Sequence, residues 1–235
     1  MENHSIIRID NLVKSFPVGK GEFIALDHLS LGFEKGEFAG LVGPSGSGKT
    51  TLLNIIGSLD SPSDGSVIVL NMSVSGLSHK QSAQLRNLHI GFIFQTFNLL
   101  PVYNVFENVE FALLLQKMSA TERKKAVMDA LEWVGLTEKV KSRPSMLSGG
   151  ECQRVAIARS MVKRPEIVLA DEPTANLDSK NSHNILQTMK NLNRELKTTF
   201  IFATHDEKVM QYLDRIISLE DGKVIKDEMV TVQKN

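Results

Sequence analysis

The apolar positions of this chain follow two rhythms. Up to Val42 they come in short runs broken by turn residues: Ile6 to Ile9, a Gly19-Lys20-Gly21 turn, Phe23 to Leu31, a Lys35-Gly36 turn, then Phe38 to Val42. Short apolar runs bounded by such turns predict strands. From Thr50 to Ile56 the chain instead carries Leu52, Leu53, Ile55 and Ile56, a helical run that Gly57 ends, and Gly65 to Leu70 returns to strand.

The stretch from about Leu99 to Arg164 is helix-rich. Ser119 and Glu122 have the spacing of a capping box, and Val127, Leu131 and Val134 share one helical face before Gly135. Ile167 to Ala170 and Thr199 to Ala203 read as buried strands on either side of a helix that carries Ile185, Met189, Leu192 and Leu196. Strands alternating with helices predict a parallel sheet. Arg215 to Lys226 reads as two short strands around Asp221-Gly222, a hairpin signal. The expected class is α/β, with an inserted helical lobe.

Composition narrows the function classes. The chain has 235 residues, 42% of them apolar, enough for a sizeable core. Lys and Arg together number 27, as do Asp and Glu, which argues against disorder and against a strongly basic nucleic-acid protein. No nucleic-acid partner is expected. The single cysteine, Cys152, permits neither an internal disulfide framework nor a multi-cysteine zinc site. Met1 to Asp10 lacks the basic-then-apolar pattern of a secretory leader, and no run of about 18 apolar residues is present. A cytoplasmic chain is expected, with any membrane role exercised through a partner.

Candidate chemistry begins at Gly43-Pro44-Ser45-Gly46-Ser47-Gly48-Lys49-Thr50, which fits G-x-x-x-x-G-K-[ST] between a strand and a helix. Its glycines let the backbone bend so that successive N–H groups converge on phosphate oxygens at a helix N-terminus. Lys49 would pair with the β- and γ-phosphates, and Thr50 would ligate Mg²⁺. The bland alternative is a glycine-rich turn, and a phosphate loop alone says only "nucleotide". Asp171 and Glu172 follow the buried strand Ile167 to Ala170, so two carboxylates emerge where ligands of parallel sheets bind. One acid would hold Mg²⁺ and the other orient the attacking water; a plain polar strand exit is the competing account. Ser148-Gly149-Gly150-Glu151 reads both as a capping box and as an anion-seeking helix start.

Leu147 to Gln153 resembles the signature motif of the ATP-binding-cassette (ABC) ATPases, and its order between the phosphate loop and Asp171-Glu172 matches that family. The resemblance covers about Ile6 to Asp227. It implies a RecA-like P-loop NTPase core with an N-terminal antiparallel β subdomain, one ATP-binding domain over residues 1–235, and a helical signature subdomain over about 96–164. Further implied roles are ATP binding by Phe16 through adenine stacking, by Gly43 to Thr51, and by Ser148, Gly149, Gly150 and Glu151. Catalysis is implied for Glu172, His205, Gln95 and Lys49, with Mg²⁺ at Thr50, Gln95 and Asp171. Asn176-Leu177-Asp178 matches a loop that crosses a dimer interface.

The same resemblance implies a head-to-tail dimer of two copies sandwiching two ATP molecules, working with integral membrane permease subunits on the cytoplasmic face of the inner membrane. Phe97 to Tyr103 would form the cleft that receives them, with core packing inside the helical lobe as the competing account. Gly57 to Asp60, Gly91 to Pro101 and Leu169 to Asp178 resemble the subgroup containing the lipoprotein-releasing LolD type and the macrolide exporter MacB. Cys152 and Ala175 depart from that pattern. The alternative is an FtsE-like regulatory ATPase that drives a cell-envelope complex without transport.

Overall fold

The computed structural model describes residues 5–230. The leader reading of the first few residues therefore lies partly outside the described residues.

The turn residues Gly19 and Lys20 join β1 (Ser5–Val18) to β2 (Gly21–Glu34) as a long antiparallel hairpin. Along β1, Ile7 and Ile9 are buried while Arg8 and Asp10 are exposed, the two-residue alternation of a sheet with one wet face. β4 (Asp64–Val69) and the short β5 (Met72–Ser73) complete a four-stranded sheet of order β2-β1-β4-β5.

The second sheet contains β3 (Phe38–Val42), β6 (Ile90–Ile93), β7 (Ile167–Asp171), β8 (Thr199–Thr204), β9 (Arg215–Glu220) and β10 (Lys223–Met229). Its order is β10-β9-β3-β8-β7-β6, parallel throughout except where β10 returns antiparallel on β9. Every residue of β3 and β8 is buried, because both faces of this sheet are covered.

One apolar cluster joins Phe38, Phe200 and Phe202 to Val127, Leu131, Val155 and Met161. These last residues belong to α4 (Ala120–Trp133) and α5 (Gly149–Met161), which with α3 (Val105–Glu110) lie between β6 and β7. The same cluster takes in Ile185, Met189 and Leu192 of α6 (Ser179–Leu196). A second cluster joins the antiparallel sheet to Leu52, Ile55 and Ile56 of α1 (Lys49–Ile56) and to Ile201 and Ala203. The parallel sheet is thus the middle layer.

One helix was not expected. α2 (His79–His89) buries only Leu85, so it has almost no apolar stripe to announce it. What sets it is a capping box, in which the Ser78 N–H donates to Gln81 Oε1 at 2.9 Å and Gln81 N–H to Ser78 Oγ at 3.4 Å. A short α7 (Glu207–Met210) follows β8. Among the described residues no helix is long and apolar enough to cross a membrane.

Candidate active site

The loop from Gly43 to Gly48 turns the chain from β3 into α1. Gly43 has φ +157°, and a Cβ there would lie 2.1 Å from the Leu219 carbonyl oxygen. Gly48 has φ +98°, and its Cβ would lie 2.6 Å from the Ala25 oxygen. Both obstacles are backbone, so only glycine fits. No side chain caps α1, which leaves its first N–H groups to the loop's concave side. Lys49 Nζ donates to the Gly43 and Pro44 carbonyls, both at 2.7 Å, and to Ser47 Oγ at 3.3 Å. Burial lowers the Lys49 pKa, and the charges of Glu172 and Asp171 oppose that shift.

At the end of β7, Asp171 accepts from the Thr50 hydroxyl at 3.0 and 3.2 Å. Burial pushes the Asp171 carboxyl up, against the lowering effect of that hydrogen bond. Glu172 takes a left-handed backbone, φ 46°, and its N–H donates to the Ala203 carbonyl at 2.9 Å. Its side chain is held twice: Oε1 lies 2.6 Å from His205 Nδ1, and Oε2 accepts from Thr204 Oγ1 at 3.1 Å. A carboxylate oxygen can only accept from a ring N–H, and Nε2 is the His205 nitrogen not engaged in this contact. β8 ends at Thr204, which is why a histidine one residue later reaches across to the neighbouring β7 exit.

These groups meet in one cleft of about 410 Å³, a size typical of small-molecule sites. Ser45, Gly46, Gly48, Lys49, Thr50 and Thr51 form its floor; Asp171, Glu172, His205 and Gln95 stand along the carboxyl edge of the sheet. Phe16 is at the far end, 37% exposed rather than in the core. Gly43, Pro44 and Ser47 do not line the cleft but receive Lys49. Three contributors were not singled out in the sequence: Phe23 and Ala25, beside Phe16, and Thr204, which holds Glu172. The hairpin register around Gly19 to Gly21 was the signal that places Phe23 opposite Phe16.

Ser148, Gly149, Gly150 and Glu151 lie outside this cleft. They form the expected capping box: Ser148 N–H donates to Glu151 Oε2 at 2.8 Å and Glu151 N–H to Ser148 Oγ at 3.3 Å. The first of these bonds holds the Glu151 carboxyl below the usual range, and Lys139 Nζ lies 3.3 Å from Oε1. Gly150 is buried where a Cβ would come within 2.6 Å of Asn181 Oδ1, whereas a Cβ on Gly149 would meet nothing closer than 3.7 Å. Asn176 Nδ2 donates to the Gln95 carbonyl at 2.9 Å, tying the Asn176 to Asp178 loop to the edge of the cleft. Cys152 is buried, and burial raises its thiol pKa.

Beside the Phe97 to Tyr103 stretch lies an open groove. Leu99 packs against the helical core, and the Phe97 and Asn98 carbonyls accept from Arg159 at 2.8 and 2.6 Å. The groove is walled by Leu59, Phe92, Phe94 and Phe111, with Arg86 and Lys163 along it. Only Asn98 of the Phe97 to Tyr103 stretch lines it.

The family profile described as "ABC transporter" matches residues 26–175, more than half of the chain. The chain belongs to the ABC transporter family. The ATP-binding protein LolD of the lipoprotein-releasing system of Pseudoalteromonas translucida is 43% identical, over 94% of this chain and 96% of its own. The macrolide export ATP-binding/permease protein MacB of Burkholderia thailandensis is 41% identical over 95% of this chain, which corresponds to 34% of that longer protein. The dimeric post-hydrolysis structure of the ATP-binding cassette MJ0796, from Methanocaldococcus jannaschii, bound to ADP and Pi, superposes with a TM-score of 0.88 at 41% identity. It covers 96% of this chain and 99% of that one. This ABC chain is therefore LolD/MacB-like, and these relatives do not favour the FtsE-like alternative.

Proposed function

We propose that this chain is the ATP-hydrolysing subunit of a LolD/MacB-type transporter, working as a head-to-tail dimer beneath membrane permease subunits. The observation that carries the dimer is the separation of the two phosphate-seeking segments: the Gly43 to Thr51 loop lines the cleft, and Ser148 to Glu151 does not. A second copy would bring its Ser148, Gly149, Gly150 and Glu151 to the open side of this cleft, a two-fold arrangement in which each site needs both chains.

Within the cleft, the loop N–H groups and Lys49 bind the phosphates. Lys49 exchanges its loop carbonyls for phosphate oxygens, which its three donors allow. Phe16 stacks on the base. Thr50 and Asp171, already within hydrogen-bond reach, offer the hard oxygen donors suited to Mg²⁺, and Gln95 lines the same edge. When bound, the ion would neutralise charge on the β- and γ-phosphates. Glu172 positions the attacking water and takes up its proton, while the His205 ring stands beside the γ-phosphate. The two held oxygens of Glu172 fix its carboxylate for that task.

The whole chain then acts as one ATP-binding domain, with residues 96–164 as the helical part that carries the signature. The groove beside Phe92 and Phe111 seats the permease segment, and the chain sits on the cytoplasmic face of the inner membrane through it. Static light scattering tests the dimer. ATP should double the mass of the Glu172→Gln protein, and Ser148→Arg added to it should prevent this. A Glu172→Gln protein that stays monomeric with ATP would rule the dimer out.

A further inference from the structure

We propose that Phe23 is a second nucleobase contact, so that the base is held between two hairpin aromatics rather than by Phe16 alone. The proposal rests on the nucleotide reading of the cleft. In the β1–β2 hairpin, Phe16 is the direct cross-strand partner of Phe23, and directly opposed residues of an antiparallel pair project from the same face. Phe16, Phe23 and Ala25 all line the cleft that contains Lys49 and Glu172, Ala25 lying where the pairing shifts register between Ser15–Ile24 and Lys14–Leu26.

Exposure sets Phe23 apart from a packing residue. It is 53% exposed and Phe16 37%, while the core faces of both strands are filled by Leu12, Leu26, Leu29 and their neighbours. Two large aromatic side chains left uncovered at one end of a cleft otherwise floored by polar groups supply the apolar walls a flat base needs. One side of Phe16 is already taken. The Lys14 ammonium lies 4.9 Å from its ring centroid, is fixed by Asp60 at 2.6 Å and the Ser61 carbonyl at 2.9 Å, and lies outside the cleft lining. A base therefore meets Phe16 from the cleft side, the side shared with Phe23.

Calorimetric titration of the full chain with Mg²⁺ and either ADP or tripolyphosphate, which has no base, tests this. Phe23→Ala should weaken ADP about fivefold or more while leaving tripolyphosphate within about twofold. Phe23→Leu should fall between, retaining apolar contact without the π-face. Phe23→Trp should keep ADP affinity, and its added indole emission should be quenched by ADP and not by tripolyphosphate; the native Trp133 on α4 supplies the background to subtract. Equal ADP affinity in the wild type and Phe23→Ala overturns the proposal, as does an equal loss for both ligands, which would mean a general distortion of the cleft. If the wild type itself binds no ADP, the nucleotide reading fails first.

Discussion

Two segments of this chain are rich in glycine and start a helix, and their glycines are there for different reasons. At Gly43 and Gly48, positive φ and carbonyl oxygens at 2.1 and 2.6 Å forbid any Cβ. The chain's own fold demands those glycines. At the start of α5, a Cβ on Gly150 would come within 2.6 Å of Asn181 Oδ1 and 2.9 Å of its Cγ, both side-chain atoms, whereas one on Gly149 would meet nothing closer than 3.7 Å. Nothing among the described residues requires Gly149, and its helix start is already capped by Ser148 and Glu151. A loop whose glycines are fixed by its own chain shows its constraints in that chain, whereas a segment that would serve a partner's site leaves residues that folding does not explain.

Substitutions can break or sharpen this contrast. The largest effect should come from Glu172→Gln, which removes the base proposed above; steady-state ATP hydrolysis should drop by about 10²–10⁴-fold with ATP binding retained. Next, Gly48→Ala should destabilise the fold by about 3 kcal/mol in urea denaturation, since it combines left-handed strain with a backbone clash. Gly149→Asp should do the opposite to the fold. A carboxylate in the first helical turn adds about 0.3–1 kcal/mol to stability. Yet the same charge, aimed at the partner's nucleotide, should cut turnover at least about tenfold. If Gly149→Asp unfolded the protein, the contrast between the two segments would collapse.

The smallest effect concerns the cost of the completed site. Burial raises the Asp171 pKa, so ionised Asp171 is a stability loss that is absent below its ordinary value of 3.8 and grows as pH rises through the folded value. Asp171→Asn should melt higher than the wild type at neutral pH, and the two should converge as pH falls toward 3.8. Its Mg²⁺-dependent turnover should fall meanwhile, a trade of activity for stability.

Much of the site was legible because its chemistry is written in contiguous residues: a loop whose glycines precede Lys49 and Thr50, and a strand that ends in Asp171-Glu172. What was not legible came from long-range register or from sparse apolar signal. Phe23 joins the cleft only because the hairpin pairs it with Phe16. Thr204 holds Glu172 only because β8 lies beside β7. The helix at His79–His89 hides because it buries a single leucine. Phe97 and Asn98 are tied to α5 through Arg159, and Leu99 packs on the helical core, contacts between segments some sixty residues apart.

By itself, the sequence determined the local grammar: where strands give way to helices, where glycine must bend the chain, and which acids and bases are present at strand exits. Those features depend on neighbours a few residues apart, whose geometry is set by backbone sterics and by apolar periodicity. Only the tertiary structure decided which of them share a cleft. Strand order brings Lys49, Asp171 and His205 to one sheet edge across more than a hundred residues of chain, and leaves Ser148 elsewhere. The physical reason is that sheet pairing and core burial act between segments distant in sequence, so proximity at the site is a property of the packed whole.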